Sequence, residues 1–212
     1  MQNDVAAGVP TLGIEPAKNI AEVARRRGVP TVSEFFGRDL AERLAGEGTR
    51  ADVIHAHNVL AHVADLNGVV AGMAALLKPG GVVIVEAPYV RDLIDRTEFD
   101  TIYHEHLCYF SVSSLAPLFE RHGLSLTRVE HHDIHGGSLR IHASDQGSAD
   151  PTVAAALDAE KESGMTSLGY YAHFGERVRR LRADLRASLA LLRSGGPLAA
   201  SGPPAQARPR LN

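Results

Sequence analysis

Short apolar runs of strand length alternate with stretches of helical spacing in the first part of the chain. This pattern predicts strands at residues 9–14, 30–32, 52–56 and 82–86. It predicts helices between them, at residues 19–27, 39–44 and 66–77. Strands that alternate with helices at short intervals indicate an α/β fold, in which a parallel sheet has helices on both faces.

The pattern changes after Pro88, where shorter helices precede two further strands. Helices are predicted at residues 92–96 and 113–122, and strands at residues 124–131 and 138–143. Ser113 is the expected N-cap of the second of these helices. The turn at residues 133–137 contains two glycines, so the two strands are expected to form a hairpin.

The last part of the chain is helical and rich in charge. The helical stretch over residues 158–193 is interrupted near Gly164 and Gly169, and glycine, proline and alanine dominate the end of the chain. We therefore expect three parts: an α/β domain at residues 1–146, a helical linker at residues 147–194 and a disordered tail at residues 195–212.

The front of the α/β pattern is incomplete. A doubly wound fold that binds a nucleoside normally begins with a strand and a glycine-rich turn beneath the ligand. In this sequence, the first predicted strand corresponds to the second strand of such a fold. Gly8 and Gly13 are too far apart to form the glycine-rich turn. We expect a truncated or mis-assigned gene product whose nucleoside site is weakened.

Composition and charge exclude several classes of protein. The chain has 212 residues, 44% of them hydrophobic, and a formal net charge of −3, so nucleic acid is not an expected partner. Its one cysteine, Cys108, rules out an internal disulfide and a four-cysteine zinc site. No signal peptide and no apolar run near membrane length is present, which favours a soluble cytoplasmic protein.

Polar residues follow two of the predicted parallel strands. Glu15 comes directly after the first strand, where an acidic residue in nucleoside-binding folds accepts hydrogen bonds from ribose hydroxyls. Capping of the next helix is the alternative role for Glu15. Asn58 and His62 follow the third strand, beyond whose carboxyl end ligands bind, although a lone histidine such as His62 more often has no ligand.

The most informative segment is residues 101–111, which holds two histidines, a glutamate and two tyrosines. Burial of these polar side chains would cost free energy if they served no function. Removal of a proton next to a carbonyl needs a base of near-neutral pKa and donors that stabilise the enolate, and histidine and tyrosine suit both roles. Structural packing remains an alternative. So does a metal bound by the histidines of this segment together with His131, His132 and His135.

If the segment were extended, Tyr103 and Glu105 would lie on one side and His104 and His106 on the other. A bend would be needed to bring them together. A further motif, His-Gly-Gly-Ser-Leu-Arg at residues 135–140, is either a tight hairpin turn or a backbone approach to a ligand, with Ser138 or Arg140 meeting phosphate or sugar oxygens.

Four motifs occur in the order and at the spacing of a known family: Gly-Ile-Glu-Pro at 13–16, Asn-Val-Leu-Ala-His-Val at 58–63, Phe-Asp-Thr-Ile-Tyr-His-Glu-His at 99–106 and the motif at 135–140. The chain resembles the nucleotide-sugar C-methyltransferases over about residues 9–184, and the Tyr-His-Glu-His block is the most specific part. The resemblance implies a class I, Rossmann-like methyltransferase core that uses S-adenosylmethionine. It is confined to the family's central domain, so the N-terminal zinc domain lies outside it.

The resemblance also implies a reaction and roles for particular residues. The substrate would be a thymidine-diphosphate 4-keto-deoxysugar, whose C3 proton is removed before the enolate carbon attacks the methyl group. His106 would be the general base, His62 and Tyr103 would stabilise the enolate oxygen, and Glu105 would hold the sugar. In the cofactor site, Glu15 would bind the ribose, Asn58 would lie near the amino-acid end and Phe36 would border the adenine.

Two alternatives stay open. The chain is either a catalyst or a non-catalytic remnant of one, and a methyltransferase for an oxygen or nitrogen atom of another small molecule is a further reading. Methyl transfer to a heteroatom needs no base that removes a proton from carbon, so the Tyr-His-Glu-His block favours carbon.

Overall fold

The computed structural model describes residues 1–199, and the greater part of the predicted tail, residues 200–212, lies outside the described residues. The helices are α1 (Gln2–Ala6), α2 (Lys18–Arg26), α3 (Arg38–Gly46), α4 (Leu66–Leu76), α5 (Val90–Arg96), α6 (Val112–Glu120), α7 (Pro151–Glu162), α8 (Leu168–Ala172) and α9 (Phe174–Arg193). Short 3-10 helices span Leu60–His62 and Phe99–Thr101. The strands are β1 (Gly13–Ile14), β2 (Thr31–Val32), β3 (Ala51–His57), β4 (Leu77–Pro88), β5 (Ser125–His132) and β6 (Ser138–Ser144).

The strands form two sheets. β1 pairs with β2 in parallel, and a four-stranded sheet has the order β3-β4-β6-β5. In the second sheet β3 and β4 are parallel, whereas β6 is antiparallel to both of its neighbours. The α/β class and the hairpin of β5 and β6 are therefore confirmed. The sequence pattern predicted one sheet, but the structure has two, because β1 and β3 do not pair with each other.

Two apolar clusters hold the layers together. The larger cluster lies between one face of the four-stranded sheet and three helices, and includes Val83 and Val85 of β4, Met73 of α4, Phe119 of α6 and Val153 of α7. The smaller cluster consists of Leu40, Ala41, Leu44 and Leu76, from α3 and α4. Burial of such side chains contributes roughly 1.5–3 kcal/mol each, so these contacts fix the helices against the sheets.

The first predicted strand is shorter than its sequence pattern. Residues 9–14 have a strand-like composition, but only Gly13–Ile14 are strand. A strand requires a hydrogen-bonding neighbour, and β1 has only the two residues of β2 beside it. Its other edge has no strand partner among residues 1–199.

The predicted N-cap of α6 was wrong. Ser111, not Ser113, accepts a hydrogen bond from the Ser114 amide, and Ser114 Oγ in turn accepts one from the Ser111 amide. The two serines form a reciprocal capping box, which satisfies two amides that the helix leaves unpaired. Ser113 donates through both its amide and its hydroxyl group to Glu160 instead.

The interrupted helix near the end of the chain is confirmed, with different boundaries. α7 begins at Pro151, where Asp150 caps it through the Thr152 amide. The chain leaves the helix at Gly164, whose φ of 80° lies in the left-handed region that glycine adopts readily. Gly169 lies inside α8, so the second interruption was predicted at the wrong place. No helix within residues 1–199 is long and apolar enough to cross a membrane.

A buried carboxylate joins α7 to the segment that precedes α6. Glu160 is fully buried and accepts hydrogen bonds from the Tyr89 hydroxyl group (2.9 Å), the Val112 amide (2.6 Å) and both donors of Ser113. Two of these donors are amides in the first turn of α6, where the helix dipole favours negative charge. Burial, together with the Glu160 carboxylate, raises the pKa of the Tyr89 hydroxyl group, so Tyr89 stays a donor.

Replacement Glu160→Gln tests this anchor. A glutamine has one acceptor oxygen in place of two and adds an NH2 group that faces amide donors, so buried donors lose their partner. We expect the free energy of unfolding, measured by urea denaturation, to fall by about 3 kcal/mol. The matched variant Glu162→Gln, on the exposed side of the same helix, should change it by less than about 0.5 kcal/mol. Equal effects of the two substitutions would contradict the anchor.

Candidate active site

The histidine-rich segment bends instead of running extended. The His106 amide donates to the Tyr103 carbonyl group at 3.0 Å, which closes a tight turn over residues 103–106. The turn brings Tyr103 and His106 to the same side, with their ring centroids 4.3 Å apart. His104 and Glu105, at the tip of the turn, are exposed.

The hydrogen bonds of His106 define its tautomer. Its Nδ1 lies 2.8 Å from the Thr101 carbonyl oxygen. Because a carbonyl oxygen only accepts, Nδ1 must carry the proton. Its Nε2 then has a free lone pair, which accepts a hydrogen bond from the Tyr103 hydroxyl group at 3.0 Å. In the neutral form of His106, these contacts hold the basic nitrogen beside a phenol.

His62 joins this pair from the edge of the sheet. It ends the 3-10 helix that follows β3, and its ring stands edge-to-face to that of His106, with centroids 4.9 Å apart. The Ala61 carbonyl oxygen accepts hydrogen bonds from the amides of Leu107 and Cys108, at 2.8 Å and 3.3 Å, which holds the segment against this helix. Three predicted site residues, His62, Tyr103 and His106, therefore form one cluster.

Glu15 and Asn58 lie where the sequence placed them, directly after the carboxyl ends of β1 and β3. One carboxylate oxygen of Glu15, Oε1, accepts a hydrogen bond from the Ala17 amide at 2.8 Å. Ala17 is the N-cap residue of α2, which has no side-chain capping hydrogen bond, so the alternative role of Glu15 as a helix cap is not seen. Asn58 has a φ of 53°, a conformation that asparagine tolerates better than most residues. Its amide donates to the Glu86 carbonyl group at 2.8 Å. Within residues 1–199 neither side chain contacts the cluster of His62, Tyr103 and His106 through a hydrogen bond.

The two neighbouring phenylalanines differ in environment. Phe36 is partly buried and packs against both apolar clusters. Phe35 is 84% exposed. The assignment of Phe36 to an adenine site stays a prediction, because its ring also has a packing role.

The two glycines in the hairpin turn are needed because side chains from other elements approach the backbone closely there. Gly136 and Gly137 have φ values of 85° and 134°, which other residues rarely adopt. A Cβ atom would collide with the carboxylate of Glu98 at the first position and with that of Asp92 at the second. The structural interpretation of this turn therefore accounts for both glycines.

Arg140 is engaged within the sheet. Its Nε and Nη2 atoms both donate to Oε2 of Glu86, at 3.1 Å and 2.7 Å, and its Nη1 lies 3.6 Å from Glu130. Glu86 is only 4% exposed. Burial raises the pKa of Glu86, but hydrogen bonds and charge from Arg140, with the nearby His57, outweigh it, so the pKa is lowered overall. Ser138 likewise donates to the Ile134 carbonyl group.

The metal interpretation finds no support in the part of the chain that the structure describes. His131 Nε2 lies 2.7 Å from Asp92, and His132 Nε2 lies 3.1 Å from Glu130. No three histidine, cysteine, aspartate or glutamate side chains among residues 1–199 are placed to hold a metal ion together.

Three features of the site were not identified from the sequence. The Thr101 carbonyl group, which orients His106, leaves no side-chain signal. Tyr109, whose hydroxyl group also approaches that carbonyl oxygen (3.4 Å), was noted without a role; burial, with Tyr103 nearby, raises its pKa. Glu160 did have a signal, because it occupies the fourth position of an apolar stripe formed by Val153, Ala156 and Leu157.

A mixed α/β sheet with a polar cluster beyond the carboxyl ends of its parallel strands has the arrangement in which doubly wound folds bind ligands. A family model described as "Methyltransferase domain" matches residues 5–129, and one described as "C-methyltransferase C-terminal domain" matches residues 133–212. The chain therefore belongs to the methyltransferase-domain family, and its second part belongs with C-methyltransferases. The resemblance noted from the motifs is confirmed.

Among curated proteins, the chain is similar to the C-methyltransferase NovU of Streptomyces niveus, at 39% identity over 184 residues. The match covers 85% of this chain but 44% of NovU, so the chain spans less than half the length of that relative.

Two solved structures illustrate the fold. The first is a SAM-dependent methyltransferase from Thermotoga maritima, with a TM-score of 0.51 and 19% identity, covering 68% of this chain and 76% of that one. The second is magnesium protoporphyrin IX methyltransferase from Synechocystis with bound SAH, with a TM-score of 0.51 and 14% identity, covering 66% of each chain. At this identity, the likeness shows the Rossmann-like methyltransferase fold alone.

The tautomer of His106 is open to direct measurement. We expect nitrogen NMR of the labelled protein above pH 8, where free imidazole is neutral, to show Nδ1 protonated and Nε2 unprotonated in His106. Tyr103→Phe should leave this tautomer in place, because the Thr101 carbonyl group imposes it. The exposed His104 serves as the control and should show a mixture of the two neutral tautomers, in which the form with Nε2 protonated is present. A protonated Nε2 in His106 would contradict the hydrogen-bond assignment.

The ion pair of Arg140 predicts a pH dependence. A lowered pKa in the folded state stabilises the protein above the unfolded value of about 4.3, and this stability is lost as the pH falls through the folded value. In Arg140→Gln the burial of Glu86 is no longer opposed, so we expect a loss of about 3 kcal/mol at pH 7.

The loss should shrink towards pH 4, where the Glu86 carboxylate becomes protonated. Urea denaturation at both pH values measures it. Arg128→Gln, which removes only a half-exposed pair with Glu130, is the control and should change stability little at either pH. A loss in Arg140→Gln that is the same at both pH values would exclude Glu86 as its cause.

Proposed function

We propose that this chain carries the proton-abstracting centre of an S-adenosylmethionine-dependent C-methyltransferase, and that its substrate is a thymidine-diphosphate 4-keto-deoxysugar. One observation carries the proposal. In the neutral tautomer that the Thr101 carbonyl group favours, the unprotonated Nε2 of His106 lies 3.0 Å from the Tyr103 hydroxyl group, and the His62 ring stands edge-to-face to the His106 ring. A base and two hydrogen-bond donors thus lie together beyond the end of β3.

This arrangement suits removal of a proton next to a carbonyl group. His106 Nε2 accepts the C3 proton of the sugar, and the electron pair of the C–H bond passes into the enolate. The Tyr103 hydroxyl group, which donates to Nε2 in the free protein, turns to the 4-keto oxygen, and His62 provides a second donor. Both stabilise negative charge that grows only as the proton leaves, so they lower the barrier rather than only bind substrate.

The reaction is completed at carbon. S-adenosylmethionine, held by Glu15, Asn58 and Phe36, would supply a methyl group made electrophilic by its positive sulfur, and that sulfur would keep the electron pair of the broken bond. The enolate carbon forms the new C–C bond, and the Nδ1–H of His106, held by the Thr101 carbonyl group, keeps the imidazolium oriented after it has taken the proton. Glu105, exposed in the same turn, would hold a sugar hydroxyl group.

The residues at the strand ends fit the nucleoside of the cofactor. Glu15 Oε1 accepts the Ala17 amide, while within residues 1–199 its Oε2 atom accepts no hydrogen bond and remains an acceptor for ribose. Asn58, held at positive φ at the end of β3, would lie towards the amino-acid portion. Phe36 would border the adenine.

Solvent exchange separates the base from the other groups. The experiment uses a chimera in which residues 1–199 replace the matching part of NovU, so that the rest of the relative supports binding. With a thymidine-diphosphate 4-keto-deoxysugar in deuterium oxide, NMR follows loss of the C3 proton signal. We expect His106→Asn to slow exchange by about 10²–10⁴-fold, because a positioned general base contributes on that scale.

His104→Asn, an exposed position in the same turn, is the matched control and should exchange at the rate of the unmodified chimera. Tyr103→Phe should slow exchange less than His106→Asn, because it removes one enolate donor and leaves the base. Exchange in His106→Asn at the unmodified rate would reject His106 as the base and, with it, this mechanism.

A further inference from the structure

The carbonyl group of Thr101 is approached by two side-chain donors. Nδ1 of His106 lies 2.8 Å from the carbonyl oxygen, and the Tyr109 hydroxyl group lies 3.4 Å from the same atom. A carbonyl oxygen has two lone pairs, so it can accept both hydrogen bonds. Among residues 1–199 the Tyr109 hydroxyl group has no other hydrogen-bond partner. The group that orients His106 is therefore itself in contact with Tyr109.

This second donor matters because His106 alone cannot fix the direction of the carbonyl group. Thr101 ends a 3-10 helix, and its Oγ1 atom donates to the Glu98 carbonyl group at 2.9 Å. That bond holds the N-terminal side of Thr101, whereas its carbonyl group faces the bend that ends at His106. With His106 as the sole partner, the imidazole and the carbonyl group would be free to turn together. A fixed direction requires a donor that is anchored elsewhere.

The backbone of Tyr109 is anchored to the end of the sheet. The next residue, Phe110, forms a parallel bridge with Tyr89, and its carbonyl group accepts a hydrogen bond from the Val90 amide at 2.9 Å. Phe110 is only 4% exposed and lies in the larger apolar cluster. The position of Tyr109 therefore does not depend on the turn at residues 103–106.

The ring of Tyr109 also borders the imidazole of His106. The two rings stand edge-to-face, with their centroids 6.2 Å apart and their planes at 83°. The rings of Tyr103 and His62 contact the same imidazole, with centroid distances of 4.3 Å and 4.9 Å. Burial, with Tyr103 nearby, raises the pKa of the Tyr109 hydroxyl group, so this group stays protonated and remains a donor. Three rings thus lie around the imidazole, and the sheet holds one of them in place.

We propose that Tyr109 is a positioning residue for His106: its hydroxyl group fixes the Thr101 carbonyl group, and its ring limits rotation of the imidazole. A half turn of the imidazole about its Cβ–Cγ bond exchanges each nitrogen with a ring carbon. Nδ1 then loses Thr101, and Nε2 loses Tyr103. By opposing this turn, Tyr109 keeps Nε2 directed at the proton that it removes. The consequence for catalysis rests on the proposed function, in which His106 is the base.

Nitrogen NMR of the labelled 212-residue chain tests the contact without turnover. Tyr109→Phe keeps the ring and removes the hydroxyl group, so the Thr101 carbonyl group retains one donor of two. We expect the tautomer of His106 with Nε2 protonated to become about fivefold more populated above pH 8, the scale that loss of one hydrogen bond sets. Tyr109→Leu, which also removes the ring, should increase this population further.

Tyr171→Phe is the matched control. The Tyr171 hydroxyl group donates to the Met165 carbonyl group at 3.0 Å, outside the histidine segment. This substitution removes a hydrogen bond of the same kind and should leave the nitrogen signals of His106 unchanged. If Tyr109 has only a structural role, Tyr109→Phe will also lower stability in urea denaturation without changing these signals. That result would overturn the proposal.

The chimera with NovU connects the contact to the reaction. At saturating sugar nucleotide, we expect Tyr109→Phe to slow exchange of the C3 proton about fivefold, while the half-saturating sugar concentration changes by less than twofold. The reason is that orientation of the base affects the chemical step rather than binding. Exchange at the unmodified rate in Tyr109→Phe, where His106→Asn slows it, would reject the positioning role.

The proposed function and the positioning role fail in different ways. If His106→Asn leaves exchange unchanged, the proposed function is wrong, and the catalytic role of Tyr109 is rejected with it even where the tautomer responds. If His106→Asn slows exchange but Tyr109→Phe changes neither the tautomer nor the rate, the positioning role alone is rejected. Slower exchange together with the altered tautomer in Tyr109→Phe supports both.

Discussion

The carboxylate of Glu160 is the contact on which the geometry of the site depends. Among residues 1–199 it has no cationic partner, and donors from Tyr89 and from the start of α6 stabilise the buried carboxylate. Tyr89 opens the segment that contains the histidine turn, and Val112 follows the end of that segment, so one side chain of α7 holds both of its ends. A buried charge with four donors resists displacement because each donor would lose its partner.

Between these fixed ends, hydrogen bonds to backbone carbonyl groups position the side chains of the candidate site. Two amides donate to Ala61, and one imidazole nitrogen donates to Thr101, so main-chain carbonyl groups decide where His106 lies and which nitrogen is basic. These contacts cost little additional conformational entropy, because Glu160 already fixes both ends of the segment. The ion pair of Glu86 and Arg140 is a separate feature of the sheet: it neutralises a buried carboxylate near the end of β4 and engages two of the five N–H donors of Arg140.

Much of the candidate site could be predicted from residue types and order. His62 was placed after a strand, and the resemblance to the family assigned His62, Tyr103 and His106 to one reaction; the structure brings the three together. The bend at residues 103–106 could not be predicted, because alternation along an extended strand separates Tyr103 from His106. Glu15 and Asn58 were placed at strand ends correctly, yet their ligand roles stay predictions: the Glu15 carboxylate accepts the Ala17 amide, and the Asn58 amide donates to the Glu86 carbonyl group.

The sequence by itself determined the element types, the hairpin and the family, because apolar periodicity and short motifs are local properties that survive without tertiary context. Tertiary structure alone decided the division of the sheet, the capping serine of α6, the tautomer of His106 and the pairing of Arg140 with Glu86. Each of these depends on which groups distant in sequence meet across a strand or helix. A strand pattern such as that of residues 9–14 forms a strand only where a neighbour completes its hydrogen bonds.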